Sequence, residues 1–224
     1  MTRRILVLSA GLSQPSSTRM LADQIAQATA AQIGARGEEA QIEVIELREL
    51  AMDLATTMAT GGIPTPHLSE IKEKISAADG LIAVTPVFTA SYSGLFKMLF
   101  DALDTNALNN MPVIIAATAG TARHSLVLDH ALRPLFSYLR ATVVPTGVFA
   151  ATEDFGSGEA GHDLSSRVQR AASEFAALVV AEKNGVGGFI PNIGDQRKRD
   201  SGVQLNQTVT PFAQLLKGRT GTAG

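Results

Sequence analysis

Five short apolar runs alternate with segments of helical spacing, and this alternation constrains the fold more than any other feature of the chain. The apolar runs cover residues 3–9, 41–47, 80–86, 111–118 and 142–149. The segments with helical spacing cover residues 18–34, 68–77, 92–104, 123–139 and 163–182. Several apolar runs are continuous, which is typical of strands covered on both faces. The alternation therefore predicts right-handed crossovers and a mostly parallel α/β sheet.

The number of predicted strands narrows the architecture further. Five strands predict a doubly wound, flavodoxin-like parallel sheet with the order 2-1-3-4-5. We expect this domain to cover residues 1–183, with a loop at 51–66. Residues 184–224 are expected to form a C-terminal tail, which packs on the domain or on a second subunit through its apolar cluster "TPFAQLLKG".

Composition and charge exclude several classes of protein. The net charge of −2 does not provide the excess of positive charge that is typical of proteins that bind nucleic acid. It also disfavours an electron carrier with a strongly acidic surface. The chain has no cysteine, which excludes disulfides, thiolate zinc sites and iron–sulfur clusters. A reducing compartment fits this composition, so we expect a cytoplasmic protein. No apolar run approaches the roughly 20 residues of a membrane span, and we interpret the apolar start as a buried strand rather than a signal peptide.

Two loops of unusual composition are expected to meet at one edge of the sheet. In the order 2-1-3-4-5, ligands bind at the carboxyl ends of the strands where the winding reverses, beside the first and third strands. The loop after the first strand is "SAGLSQPSST", residues 9–18, and the loop after the third is "TPVFTASYSG", residues 85–94. The topology therefore predicts a ligand site between these loops.

The first loop is rich in hydroxyls and has no lysine. Backbone N–H groups at a helix start attract an anion, and serine and threonine hydroxyls add donors. A triphosphate loop normally carries a lysine, so the loop favours a single monoester phosphate, such as that of FMN. The alternative is that Ser17 or Thr18 simply caps a helix. Capping uses one hydroxyl and does not account for Ser9, Ser13 and Ser16.

Three segments of the chain resemble the NAD(P)H-dependent FMN reductase family. They are "LSAGLSQPSSTRMLAD", "TPVFTASYSGLFKMLFDAL" at 85–103, and "ATAGTARHSLVLDHALRPLFSYLRATVVPTGVFAATEDF" at 117–155. The resemblance covers about residues 3–182. It is greatest to the branch that serves sulfonate and other flavin-dependent monooxygenases. It implies FMN and NADPH or NADH as cofactors, a monooxygenase as a partner, and a homodimer or homotetramer.

The resemblance also implies which residues contact FMN. They are Ser9, Gly11, Leu12, Ser13, Ser16, Ser17 and Thr18 in the first loop, Pro86, Val87, Phe88 and Thr89 in the second, and Thr118 and Gly120 after the fourth predicted strand. Relatives outside this branch often carry an arginine where this chain has Ser13, which implies weakly held, exchangeable FMN. Lys97 and Asp101 match a helix that the family uses in subunit packing.

The composition is consistent with hydride transfer at an open flavin. The chain has no Trp, and Phe88 is the one aromatic expected near the ring, so one ring face stays open for a nicotinamide. Transfer between stacked rings needs proximity and orientation, and we predict no catalytic acid or base. The alternatives are a quinone or azo reductase with bound FMN and a non-enzymatic electron-transfer protein. Arg19, Arg123 and Arg133 are candidates to select the 2′-phosphate of NADPH.

Three further patterns are interpreted as non-functional. The segment "GSGEAG" at 156–161 matches a dinucleotide fingerprint, but the acidic "AATEDF" precedes it and would repel a pyrophosphate, so we expect a flexible loop. The four histidines show no metal-ligand spacing, and we expect surface or interface roles for His124 and His130. The basic "QRKR" at 196–199 is expected to be a solvated loop.

Overall fold

The strand at the amino terminus is an interior strand of the sheet, next to its edge, in a computed structural model that describes residues 1–156, 158–181 and 199–203. Most of the predicted tail lies outside the described residues. The strands are β1 (Thr2–Ser9), β2 (Glu39–Glu46), β3 (Gly80–Phe88), β4 (Ser91–Tyr92), β5 (Pro112–Ala119), β6 (Thr142–Val143) and β7 (Val148–Ala151).

The sheet has the predicted doubly wound parallel arrangement. Its order is β2-β1-β3-β5-β6, and β7 also pairs with β5. The predicted fourth strand is β5, and the predicted fifth strand is divided into β6 and β7, so the fold class is confirmed. The prediction of five strands is wrong in two places. Pro145 has no N–H for the ladder and interrupts the last strand, and β4 adds an antiparallel pair to the end of β3.

In the described part of the chain, six α-helices connect and cover the strands. They are α1 (Ser17–Gly34), α2 (Ala51–Ala59), α3 (Pro66–Ala77), α4 (Gly94–Ala102), α5 (Arg133–Tyr138) and α6 (Glu159–Ala181). The predicted helices 18–34, 68–77 and 92–104 correspond to α1, α3 and α4. The last predicted helix, 163–182, begins earlier than expected, so the second half of "GSGEAG" is helical rather than a loop.

Two predictions about local structure are wrong. The expected loop at 51–66 contains α2, which buries Leu54 and Thr57 and precedes the positive φ angles of Gly61 and Gly62. The expected helix at 123–139 is broken into a 3-10 turn, a π-helical turn at Leu128–Leu132 and the short α5. Pro134 cannot donate the backbone hydrogen bond that a continuous α-helix requires there.

The sheet separates two hydrophobic clusters, which explains why its strands are apolar without alternation. Ile5 and Val7 of β1 face the cluster beneath α1 and α6. Leu6 and Leu8 face the opposite cluster, which contains Phe96 of α4. Because successive side chains of a strand point to opposite faces, each residue of β1 from Ile5 to Ser9 meets a covered side of the sheet.

Close packing of α6 against the sheet depends on a glycine at the start of β3. A Cβ atom on Gly80 would lie 2.4 Å from Cζ of Phe175, a ring that is fully buried. At the same amino end of the sheet, Arg199 donates to the carbonyls of Asn109 and Ala78. The described part of the tail therefore contacts the end of the sheet opposite to the carboxyl ends of the strands. No helix among residues 1–156 and 158–181 is long and apolar enough to cross a membrane.

Candidate functional site

The hydroxyl-rich loop leads directly into α1, and Ser16 is the residue that caps the helix. Its Oγ atom accepts a hydrogen bond from the backbone N–H of Arg19 at 3.2 Å. The alternative interpretation, in which Ser17 or Thr18 caps the helix, is therefore wrong. Ser13 and Ser17 remain exposed, so their hydroxyls are free of the capping role. The amino end of the 18-residue α1 adds partial positive charge at this place.

Gly11 lets the loop fold tightly over the start of α1. A Cβ atom on this residue would lie 2.1 Å from Oγ of Ser16 and 3.1 Å from Cβ of Thr18. No real pair of such atoms approaches to 2.1 Å, so a side chain at position 11 would displace the loop or the cap. The close approach is a structural reason for glycine in "SAGLSQPSST".

A buried hydrogen bond fixes α1 against the sheet below the loop. The hydroxyls of Thr18 and Thr118 lie 2.8 Å apart, and both residues are buried. Thr18 is in the first turn of α1 and Thr118 is near the end of β5. The bond therefore joins the two predicted site segments that are 100 residues apart in the chain.

The second loop is a tight hairpin between β3 and β4. Thr89 and Ala90 have φ angles of 47° and 67°, and positive φ at both central residues is typical of two-residue hairpin turns. At the base of the hairpin the Thr85 hydroxyl accepts from the backbone N–H of Ser93 at 3.0 Å. The turn leaves Phe88 45% exposed at the edge of the sheet.

The two loops and the end of β5 enclose a cleft of about 310 Å³. Its lining consists of Gly11, Leu12, Ser13, Ser17, Thr18, Pro86, Val87, Phe88, Thr118, Ala119, Gly120 and Thr152. The structure thus brings together ten of the thirteen sequence-predicted site residues. Ser9 is buried in β1, Ser16 caps α1, and Thr89 occupies the hairpin turn, so these three lie outside the lining.

Sequence reasoning missed one residue of the cleft lining, Thr152. Ala119 lies within the segment 118–121, which the family resemblance places at the far edge of the flavin. Thr152 directly follows β7, whose carboxyl end lies at the same edge as that of β5. The sequence offered one signal for Thr152: a threonine after an apolar run in a parallel sheet. Because the fifth strand was predicted to end at residue 149, Thr152 was not recognised as the residue that follows it.

The cleft lining has no ionisable side chain. The cleft can therefore attract an anion only through hydroxyl groups, backbone amides and the amino end of α1. Arg19 lies at the start of α1 but is bound to carboxylates, 2.8 Å from Asp23 and 2.6 Å from Glu46. The hydrogen bond with Asp23, together with Glu46, raises the pKa of Arg19 above its ordinary value. The pairing holds this cation on its own acidic neighbours.

Other polar groups lie away from the cleft. His67 is 3.0 Å from a carboxylate oxygen of Asp53, and hydrogen bonds from Thr65 and His67 lower the pKa of Asp53. Lys97 and Asp101 form a 2.6 Å ion pair on the surface of α4. Within the described ranges, no group of three histidine, aspartate or glutamate side chains could hold a metal ion.

The fold and the cleft define a class of protein: a doubly wound, flavodoxin-like α/β protein with an uncharged, hydroxyl-lined cleft at the switch point of its sheet. A model of the family described as NADPH-dependent FMN reductase matches residues 3–156. Since this match covers more than half of the chain, the chain belongs to the NADPH-dependent FMN reductase family.

Similar proteins include two reductases from Pseudomonas. An FMN reductase (NADPH) of Pseudomonas aeruginosa is 40% identical over 178 residues, which is 78% of this chain and 91% of that protein. The NADH-dependent FMN reductase SfnF of Pseudomonas fluorescens is 39% identical over 176 residues, with coverages of 78% and 91%. These two relatives are named for different nicotinamide donors.

Two solved structures are similar to the chain. An oxidoreductase of Corynebacterium diphtheriae has 61% sequence identity and a TM-score of 0.78, covering 81% of this chain and 98% of that one. The apo form of an NADH:FMN oxidoreductase has 27% identity and a TM-score of 0.65, covering 77% and 90%.

The Thr18–Thr118 bond gives a testable prediction about the frame of the cleft. Thr118→Val leaves the Thr18 hydroxyl buried without its partner, which is expected to lower the free energy of unfolding by about 1–3 kcal/mol. The double variant Thr18→Val/Thr118→Val removes both polar groups and is expected to lose less than the single variant. Urea unfolding without flavin measures both losses, and a double variant that loses more than Thr118→Val would contradict the prediction.

Proposed function

We propose that the protein transfers a hydride from NADPH or NADH to FMN bound in the cleft. The observation that carries this proposal is the cleft itself, which joins a hydroxyl-lined helix start to a small apolar wall and has no ionisable side chain. These are the two chemistries that a phosphorylated flavin requires. Family membership supports the same reaction.

The residues of the cleft fit a phosphate at one end. Ser13, Ser17 and the amides at the start of α1 would hold it, because they present donors where the helix dipole favours negative charge. Gly11 keeps the loop close to the helix, and Thr18 fixes the first turn to β5. Ser16, the cap, can still donate its hydroxyl proton while its oxygen accepts from Arg19.

The apolar side of the cleft fits a flat ring. Pro86, Val87 and Phe88 would line the flavin, and Gly120 leaves room at the opposite side. When bound, FMN supplies the ring that accepts the hydride, and the chain supplies binding and orientation. Phe88 is the one aromatic residue in the lining, so an aromatic sandwich is absent from it and a nicotinamide has room to stack.

Exchangeable flavin is the second part of the proposal. The phosphate end has hydroxyls and amides but no cationic side chain in its lining, and charge-assisted bonds to phosphate are the strong ones. We infer that FMN is held weakly and leaves after reduction, to be used by a separate flavin-dependent monooxygenase. A homodimer or homotetramer stays a prediction, supported by exposed apolar side chains such as Met52 and Ile63.

Steady-state oxidation of nicotinamide tests the proposal. We expect the purified protein to consume NADPH or NADH, followed by absorbance, with a rate that saturates as free FMN is raised. The same FMN should be lost on extensive dialysis. Stoichiometric flavin that survives dialysis would favour a quinone or azo reductase with bound FMN, and no oxidation of either nicotinamide would refute the proposal.

A further inference from the structure

A second depression, here called the basic pocket, lies beside the cleft. Its volume is about 420 Å³, and its lining includes Ala90, Ser91, Arg123, His124 and His130. Two segments of the chain line both spaces. The hairpin after β3 contributes Phe88 to the cleft and Ala90 to the pocket, and the segment after β5 contributes Gly120 to the cleft and Arg123 to the pocket. The two spaces are therefore neighbours along both of these segments of the chain.

The basic pocket has a different charge from the cleft. Arg123, His124 and His130 lie in its lining, and no carboxylate does. The acidic residue next to His130 in the chain is Asp129, which forms a 3.0 Å ion pair with Arg133 on the same helical segment. The positive charge of Arg123 is therefore not neutralised by a lining carboxylate.

Arg123 differs from the other two arginines that the sequence offered for phosphate selection. Arg19 is bound to Asp23 and Glu46. Arg133 pairs with Asp129 and also donates to the carbonyls of Val144 and Pro145 at 3.3 and 3.1 Å. Arg123 is exposed and makes no hydrogen bond or ion pair with the part of the chain that the structure describes. Its guanidinium donors are thus available to a ligand.

We propose that the basic pocket binds the 2′-phosphate of NADPH through Arg123, and that the protein therefore prefers NADPH to NADH. The inference rests on the proposed function, because the nicotinamide must stack in the cleft for the adenosine end to extend beyond it. A guanidinium matches a phosphate with two parallel hydrogen bonds. In Rossmann-type sites a carboxylate on the ribose 2′-hydroxyl selects NADH and an arginine accommodates the 2′-phosphate of NADPH; the lining of the basic pocket has Arg123 and no carboxylate.

Steady-state kinetics with the two nicotinamides measure the preference. Arg123→Ala is expected to raise the KM for NADPH by about 10- to 100-fold, as expected for loss of charge-assisted hydrogen bonds, with kcat unchanged. The KM for NADH should stay at its wild-type value, because NADH has no 2′-phosphate. The matched control is Arg170→Ala, which removes an exposed arginine from α6 on the other face of the sheet.

A binding measurement separates the pocket from the reaction. Calorimetric titration of the FMN-free protein with adenosine 2′,5′-bisphosphate should show binding that Arg123→Ala weakens, whereas adenosine 5′-monophosphate should bind both proteins alike. Equal increases in the KM for NADPH and NADH would assign Arg123 to the pyrophosphate and overturn the proposal. Equal affinity of the wild-type protein and Arg123→Ala for the bisphosphate would also overturn it. If neither nicotinamide were oxidised, the proposed function would fall, while the titration would still test the basic pocket.

Discussion

Substitution of Gly11 by valine is expected to raise the Kd for FMN by about 100-fold or more, which corresponds to the loss of roughly two charge-assisted hydrogen bonds. The physical reason is the space above the start of α1. A Cβ atom at position 11 would lie 2.1 Å from Oγ of Ser16 and 3.2 Å from its Cβ. Rotation of the Ser16 hydroxyl would break its hydrogen bond with the Arg19 N–H and would not relieve the second contact, so we expect the cap to be lost and the phosphate donors of the loop to shift.

Two other variants distinguish this mechanism from a general loss of stability. Gly34→Val places the same side chain on a glycine that has no atom within 4 Å of its ideal Cβ, and FMN affinity should not change. Ser16→Ala removes the cap, with an expected loss of about 1 kcal/mol in unfolding free energy, and should affect FMN less than Gly11→Val. Fluorescence titration of FMN measures all three, and wild-type affinity in Gly11→Val would contradict the close approach.

The strand order could be predicted because the strands are covered on both faces. Ile5 and Leu6 point to opposite clusters, so the run around them is apolar without alternation, and such runs mark a parallel sheet. Local features were harder. The helix at Ala51–Ala59 has a mixed burial pattern with two fully buried residues, Leu54 and Thr57, and the sequence gives it no side-chain cap. Its position depends on contacts with α3 and α4 that only the folded chain provides.

The cleft was more predictable than the basic pocket for a topological reason. The parallel order places the carboxyl ends of the first and third strands side by side, so Ser13 and Phe88 could be assigned to one site from the chain alone. Whether Arg19, Arg123 or Arg133 has free donors depends on which carboxylates fold against each of them. Glu46 contacts Arg19 from strand β2, and no local sequence pattern predicts that contact.

An aromatic cluster beneath α4 connects the second loop to the core. Phe96 is fully buried, and its ring centroid lies 4.7 Å from that of Phe100 and 6.3 Å from that of Phe136. The same residue donates its backbone N–H to the Ser93 cap at 3.2 Å. Because Ser93 in turn donates to Thr85 at the base of the hairpin, the packing of Phe96 holds the start of α4 against the loop of the cleft.

Phe96→Ala is therefore expected to lower the free energy of unfolding by about 3–5 kcal/mol, since a large buried ring is lost and a cavity remains. This is a large part of the roughly 5–15 kcal/mol that stabilises a typical domain, so Phe96→Leu provides a milder variant with a smaller loss. Tyr138→Ala is the matched control, because Tyr138 is an aromatic residue that is 72% exposed. Urea unfolding should rank the losses as Phe96→Ala, then Phe96→Leu, then Tyr138→Ala. Equal losses for Phe96→Ala and Tyr138→Ala would contradict the prediction that the aromatic cluster stabilises the fold.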